Sequence, residues 1–166
     1  MIVFRHIDSP VGLLMIAAGD DGLRHIEFAN PRHPNRMHGD WRQGDSDTLH
    51  AAEIQLGEYF DGKRRDFDLP LAPHGTEFQL QVWRELARIA YGATLNYAQL
   101  ALRIDNPSAI RAVGAANGRN PLPIVLPCHR VIGTDGAMIG FGGGVAVKQF
   151  LLRLEGALPE EARGLF

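Results

Sequence analysis

The chain carries one cysteine, Cys128, among its 166 residues. A single thiol excludes an intramolecular disulfide, a Cys-x-x-Cys redox pair and a multi-cysteine zinc cage. No apolar run approaches the length needed to span a bilayer. The N-terminus, Met1-Ile-Val-Phe-Arg-His6, lacks the basic-then-apolar layout of a secretion signal. A thiol that must stay free suits a reducing compartment, so the expectation is a soluble, cytoplasmic protein with no membrane partner. An excess of one charge is missing too: 17 Lys and Arg stand against 19 Asp and Glu, a net charge of −2. There is no internal repeat. His33, His38, His50 and His74 lie in or near loops without metal-ligand spacing, so neither a metal nor another cofactor is expected.

Composition is that of an ordinary soluble chain, 45% apolar and 22% charged, and the length suits one medium domain or two small ones. The charge is unevenly spread. Residues 1–72 hold eight basic and twelve acidic side chains, whereas residues 73–155 hold eight basic and five acidic. A basic second half is compatible with a polyanionic partner, although an imbalance this small also arises by chance.

Short apolar runs at Ile2 to Ile7, Leu13 to Ala17 and Leu23 to Phe28, separated by turn residues, predict an antiparallel meander. Residues 30–46 read as a loop. Leu49, Ala52, Leu56 and Tyr59 at helical spacing predict a helix with Asp47 as cap and Gly62 as stop. Residues 69–75 resemble a linker. Beyond it the period is helical. Thr76 and Gln79 make a capping box, and Phe78, Val82, Leu86 and Ile89 line one stripe that ends at Tyr91-Gly92. A second helix starts at Asn96, with Gln99 completing its cap. A tight turn at Ile104-Asp105-Asn106 leads to a third helix, with Asn106 as cap and Pro107 at its first position. Two short helices joined by a three-residue turn suggest a helix-turn-helix, a pattern shared by many helix pairs in ordinary cores. The run Ile124 to Ile132 reads as a strand bent at Pro127, and Val147, Phe150, Leu151 and Leu154 predict a last helix stopped by Gly156. The expected fold class is α+β. Residues 1–72 form an N-terminal domain, a small antiparallel sheet plus helix; residues 73–158 form a C-terminal domain with the helix-turn-helix; residues 159–166 form a tail.

A lone cysteine in an apolar run is usually an inert buried residue. Here Pro127 and Gly133 bracket it with backbone irregularity, and His129 and Arg130 follow it directly. Positive neighbours lower a thiol pKa. On an extended chain, however, adjacent side chains point to opposite faces, so His129 needs a bend or a bridging water to take the thiol proton. Glu155 lies at the C-terminal end of its helix, where the dipole disfavours a negative charge. A partner such as His129 would offset that cost.

Pro127-Cys-His-Arg-Val131 resembles the active-site motif of the O6-alkylguanine-DNA alkyltransferases, also called methylated-DNA–protein-cysteine methyltransferases. Arg111-Ala-Val-Gly-Ala-Ala-Asn-Gly118, Asn120-Pro-Leu-Pro-Ile124, Gly142-Gly-Gly144 and Lys148-Gln-Phe-Leu-Leu152 resemble that family's pattern at the same spacings. The resemblance covers roughly residues 76–156; residues 1–72 are similar in layout only. It implies a ribonuclease H-like N-terminal layout and a winged-helix-like C-terminal domain carrying the active site. It further implies single-turnover transfer of an alkyl group from O6-alkylguanine, and from O4-alkylthymine, in flipped-out DNA bases to Cys128. The resemblance makes His129 the base, acting through water, with Glu155 orienting it. Tyr97 helps rotate the nucleotide and donates a proton to the leaving base, and Asn120 bridges the DNA-binding helices and the active-site segment. Arg111 fills the gap in the base stack. Ser108, Ala112, Gly114 and Ala116 would meet double-stranded DNA in its minor groove, the protein acting as a monomer. Pro123, Val131, Phe141 and Gly142 would line the base pocket, with the carbonyls of Cys128 and Val131 recognising an exocyclic amine. Phe141 stands where many members have Tyr, and Gly142 where some have Ser, so the pocket wall departs from the family pattern.

The chemistry of the residues agrees with this resemblance. Displacement at an alkyl carbon calls for a soft nucleophile, which a thiolate provides, and for a proton donor to the leaving base, which a phenol provides. A lesion binder without an acceptor thiol, a helix-turn-helix regulator with a structural cysteine and a cysteine hydrolase are the competing readings. Cys128 itself opposes the first. The second predicts no need for His129 or Glu155. The third requires an oxyanion-hole loop that the sequence does not display.

Overall fold

A computed structural model describes residues 1–29, 40–133, 141 and 143–158. The architecture is mixed α+β, with a small sheet at the N-terminus and a helical C-terminal half. Strands β1 (Val3–Ile7), β2 (Leu14–Gly19) and β3 (Gly22–Glu27) form the expected antiparallel meander. A fourth strand departs from the expectation. Arg42–Gln43, inside the stretch read as a loop, is β4 and pairs parallel to β1, giving the order β3-β2-β1-β4. Two residues carry too little alternation to announce a strand. Within β2 the side chains divide with period two. Leu14, Ile16 and Ala18 join the main core, while Met15 and Ala17 pack on the opposite face with Ile2, Phe4 and Trp41.

Helix α1 (Asp47–Phe60) covers the first face with Leu49, Ala52, Leu56 and Tyr59, all fully buried. Burying each large side chain of that set contributes about 1.5–3 kcal/mol. Its cap is Ser46, whose side chain accepts from the Leu49 amide, so Asp47 is the first helical residue rather than the cap. The segment read as a linker is tied to the sheet edge. The Leu23 amide donates to Pro70 O and the Ala72 amide to Leu23 O, both at 2.8 Å. Gly22 permits this approach: at φ +139° a side chain is strained, and a Cβ there would lie 2.6 Å from Pro70 O.

Helix α2 (Glu77–Leu86) opens with the expected capping box at Thr76 and Gln79. It ends five residues before Tyr91; turns at Arg88 and Ile89 carry the stripe on, so Ile89 is still buried. The short strand β5 (Leu95–Asn96) precedes α3 (Tyr97–Arg103), capped by Asn96 and Gln99 as read. Helix α4 (Ile110–Gly118) begins later than expected. Ala109 precedes it without a side-chain cap, and Asn106 and Pro107 belong to the turn, where Asp105 takes a positive φ of 57°. The run 124–132 is not a bent strand. Residues Cys128–Arg130 form a 3₁₀ turn, and only Val131–Ile132 is strand β6, parallel to β5. Helix α5 (Val145–Leu154) closes the described chain. One core runs from the sheet through all five helices to Cys128.

Candidate active site

Cys128 sits where two tight turns meet. Pro127, at φ −79° and ψ 70°, centres an inverse γ-turn closed by the Cys128 amide on Leu126 O at 2.7 Å. The 3₁₀ turn follows at once. The chain is therefore not extended here, and Cys128 and His129 are not forced to opposite faces. Asn120 braces the approach, donating to Leu126 O at 2.6 Å and accepting from the Leu122 amide at 3.0 Å. Ile124, held at a positive φ of 76°, lies within the braced segment. Asn117 reaches from α4 to Cys128 O at 3.4 Å.

Glu155, the residue that ends α5, is buried with His129 and Arg130. Its Oε2 accepts from His129 Nε2 at 2.7 Å, Arg130 Nη2 at 3.0 Å and the Tyr59 hydroxyl at 2.5 Å; Oε1 accepts from Arg130 Nε at 2.8 Å. Arg130 also donates to Ile89 O at 2.7 Å. Burial pushes the Glu155 carboxyl up, but the hydrogen bonds from His129 and Arg130 outweigh it and hold the group down to about 2. An ionised carboxylate only accepts. His129 therefore carries its proton on Nε2, and Nδ1 keeps its lone pair. That Nδ1 is buried and has no hydrogen-bond partner among the described residues. Burial, with help from the Arg130 charge, holds His129 below its ordinary value, so the resting imidazole is neutral.

The thiol does not behave as adjacency to His129 and Arg130 suggested. Burial pushes Cys128 up to about 11, against pulls from an Asn120 hydrogen bond and the Lys148 charge. From His129 only the backbone pulls, since its neutral imidazole adds no charge, and the Arg130 charge is spent on Glu155. Lys148, fully buried on α5, donates to Val131 O at 2.6 Å. Its own value is lowered to about 8 by burial, with the Cys128 charge acting the other way.

The DNA-facing set read from the sequence divides. Arg111 and Ala112, at the start of α4, are exposed, as is Ser108 in the preceding turn. Tyr97, half-buried, opens α3, and its ring lies against Gly114, where a Cβ would meet it at 3.8 Å. Ala116 turns inward instead: it is 2% exposed, and its carbonyl accepts from Trp83 Nε1. Period 3.6 puts Val113 and Ala116 on one inner face, so Ala116 lies on the side of α4 away from solvent. Of the pocket set, Pro123, Val131 and Phe141 are buried, and Gly142 lies outside the described residues. Phe141 packs against Phe28, the residue after β3, with ring centroids 5.5 Å apart and planes tilted by 57°. Gly143 lies against both rings, and a Cβ there would come within 2.9 Å of each.

Residues 77–157 match the family model for the DNA-binding domain of 6-O-methylguanine DNA methyltransferase, and residues 2–73 match that for its ribonuclease-like domain. The chain belongs to the 6-O-methylguanine DNA methyltransferase family. A methylated-DNA–protein-cysteine methyltransferase of Methanosarcina barkeri is 46% identical over 90% of this chain and 94% of its own length. The protein of that name from Mycolicibacterium paratuberculosis is 46% identical over 93% of each chain. The crystal structure of Mycobacterium tuberculosis OGT in complex with DNA superposes with a TM-score of 0.85 at 39% identity, covering 99% of both chains.

Three participants in this methyltransferase-family site escaped the sequence reading as site residues. Tyr59 had the spacing of a core position and nothing more. Arg130 read as a neighbour of the thiol rather than as the carboxylate's bidentate partner. Lys148 stood in a matching motif, but no local pattern marks a buried ammonium. Breaking a buried ion pair from one side costs about 3–5 kcal/mol.

The Glu155 cluster makes stability pH-dependent. Its folded value of about 2 lies below the ordinary 4.5, so its contribution, about 3 kcal/mol, is complete above pH 4.5 and is lost as pH falls toward 2. His129, held below 6.5, works in the same direction, because the unfolded chain takes up its proton first. In urea unfolding across pH 7 to 3, Glu155→Gln should be the less stable protein at pH 7. The gap should narrow toward pH 3. Parallel curves would show that Glu155 does not carry this dependence.

Proposed function

We propose that this protein repairs DNA by direct reversal, moving a methyl or other alkyl group from O6-alkylguanine, and from O4-alkylthymine, onto Cys128 in a single turnover. The observation that carries the reading is a buried thiol beside a neutral histidine whose far nitrogen is held by a buried carboxylate. Family membership supplies the context, as does the solved relative in complex with DNA.

The thiol of Cys128 gives its proton, through a bridging water, to His129 Nδ1, the ring nitrogen with a free lone pair. Glu155 stabilises the imidazolium that forms. Lys148 and Asn120 favour the thiolate, which burial alone opposes. The sulfur attacks the alkyl carbon as the carbon–oxygen bond to the base breaks. The bonding electrons leave with the base, which takes up one proton from Tyr97; the proton held by His129 then passes through solvent to the Tyr97 phenolate, restoring both side chains. The products are the unmodified base and a thioether. A thioether is not reversed under these conditions, and the chain has no second cysteine to accept the group.

A base stacked in a duplex hides the reacting carbon, so the nucleotide must rotate out, at a cost of a few kcal/mol. The exposed Arg111 at the start of α4 fills the gap from the minor-groove side, and the slim outer surface formed by Ser108 and Ala112 lets the backbone approach. Cys128 O and Val131 O recognise the exocyclic amine. Val131 O accepts from Lys148 and has a second lone pair to offer, while Cys128 O already accepts from the Val131 amide and, at 3.4 Å, from Asn117, so the amine would take the place of the longer of those two bonds. Residues 1–72 and 73–158 act as the two domains, and the chain works as a monomer in the cytoplasm. A lesion binder that transfers nothing would have no use for the thiol.

Two experiments test this reading. A fixed amount of protein mixed with excess duplex containing O6-methylguanine should restore an equimolar amount of guanine and then stop. Continued restoration would indicate a turning-over enzyme. Arg111→Ala should slow reaction on duplex by about tenfold or more, with a far smaller effect on free O6-benzylguanine. Equal losses on both substrates would remove Arg111 from the stack-filling role.

A further inference from the structure

Tyr59 is a buried titratable group that the steps above leave without a task. It stands in the last turn of α1, in the N-terminal half, with no exposed surface. Its ring packs among Phe60, Phe67 and Tyr91, a setting that phenylalanine would fill as well. The hydroxyl crosses to the C-terminal half and donates to Glu155 Oε2 at 2.5 Å. That one oxygen also accepts from His129 Nε2 and Arg130 Nη2.

We propose that Tyr59 is a positioning residue of the alkyl transfer: its hydroxyl, delivered by the N-terminal half, fixes Glu155 and sets how strongly Glu155 holds the proton of His129. This deepens the alkyl-transfer reading and rests on it for the reaction, though not for the geometry.

Three donors compete for one acceptor oxygen, Glu155 Oε2. Charge that Oε2 gives to the phenol is not available to the imidazole. A donor on the carboxylate therefore weakens its grip on an imidazolium, while anchoring the oxygen where Nε2 meets it. The phenol remains a donor throughout, because burial and the Glu155 charge push its ionisation far up. Among the described residues, the charged and titratable groups facing this centre come from two helices, the 3₁₀ turn and two connecting segments. Tyr59 comes from α1, and His129 and Arg130 from the 3₁₀ turn. Tyr91 follows α2, its ring flanked by Arg130 at 5.6 Å and Arg65 at 4.9 Å. Lys148, on α5, acts on His129 through its charge. Arginine keeps its charge at every accessible pH. Tyr59 can therefore be altered at a single atom while the ring and the ion pair stay in place.

The test compares the full-length protein with Tyr59→Phe and with the chain carrying 3-fluorotyrosine at position 59. The His129 ring is titrated by nitrogen NMR, and the rate with free O6-benzylguanine is followed across pH. Removing the hydroxyl should raise the His129 pKa by about one unit, the equivalent of one hydrogen bond to a charged group. It should also shift the pH–rate profile the same way. The fluorinated phenol, a stronger donor in an unchanged fold, should move both downward. Opposite shifts support the proposal, and the fluorinated chain decides alone should Tyr59→Phe not fold. A His129 titration that neither change moves would overturn it and leave Tyr59 a packing residue. Wild-type protein inert toward O6-benzylguanine, with His129 still responding, would instead sink the alkyl-transfer reading and leave the Tyr59–Glu155–His129 coupling standing.

Discussion

A carboxylate buried at the C-terminal end of a helix is unfavourable twice over. It loses its hydration, and it faces the negative end of the helix dipole. Glu155 occupies that position because four hydrogen bonds converge on it, from Tyr59, His129 and both sides of the Arg130 fork. These bonds tie α1, the turn carrying Cys128 and the end of α5 to a single point. The same bonds fix the histidine tautomer. A fully ionised Glu155 requires the proton on Nε2 and leaves the base lone pair on Nδ1. The structure, and with it the proposed reaction, therefore depends on one charge.

The thiol is set up differently. Its surroundings keep it protonated at rest: burial dominates, and the Arg130 guanidinium is already committed to Glu155. Activation thus calls for a base within reach and for partial charge compensation, for which Asn120 and Lys148 are in place. A protonated thiol in a closed turn is also poorly nucleophilic toward adventitious electrophiles. That property suits the proposed single-turnover acceptor, for which every stray modification would consume a molecule. The N-terminal half shares in this arrangement. Phe28 from β3's end supports Phe141, the Ile26 amide donates to Pro121 O at 2.9 Å, and Tyr59 reaches Glu155.

Much of this was legible in the sequence, for identifiable reasons. Helices α1 and α2 follow from periodicity, the latter with its capping box, α3 from its cap at Asn96 and Gln99, and the three strands of the meander from turn chemistry. Strand β4 was not legible because two residues cannot display a period. The start of α4 was misread because Asn106 and Pro107 fit a helix start and a turn equally well, and tertiary packing chose the turn. At the site, Cys128, His129 and Glu155 stood out as chemistry-bearing residues in unusual places. Tyr59 and Lys148 did not, since a tyrosine on an apolar helix face and a lysine in a C-terminal helix look ordinary until burial is known. The pull of Arg130 on the thiol was misjudged for the same reason: adjacency in sequence says nothing about which carboxylate has already claimed a charge.

The central claim is that Cys128 is the terminal acceptor of an alkyl group from DNA. It is tested most directly by incubating the protein with duplex containing O6-methylguanine under reducing conditions, digesting it and measuring peptide masses. The account requires a gain of one methylene on the peptide bearing Cys128, at full occupancy and nowhere else. An unmodified Cys128 peptide alongside repaired DNA, or a methyl group on any other residue, would contradict it.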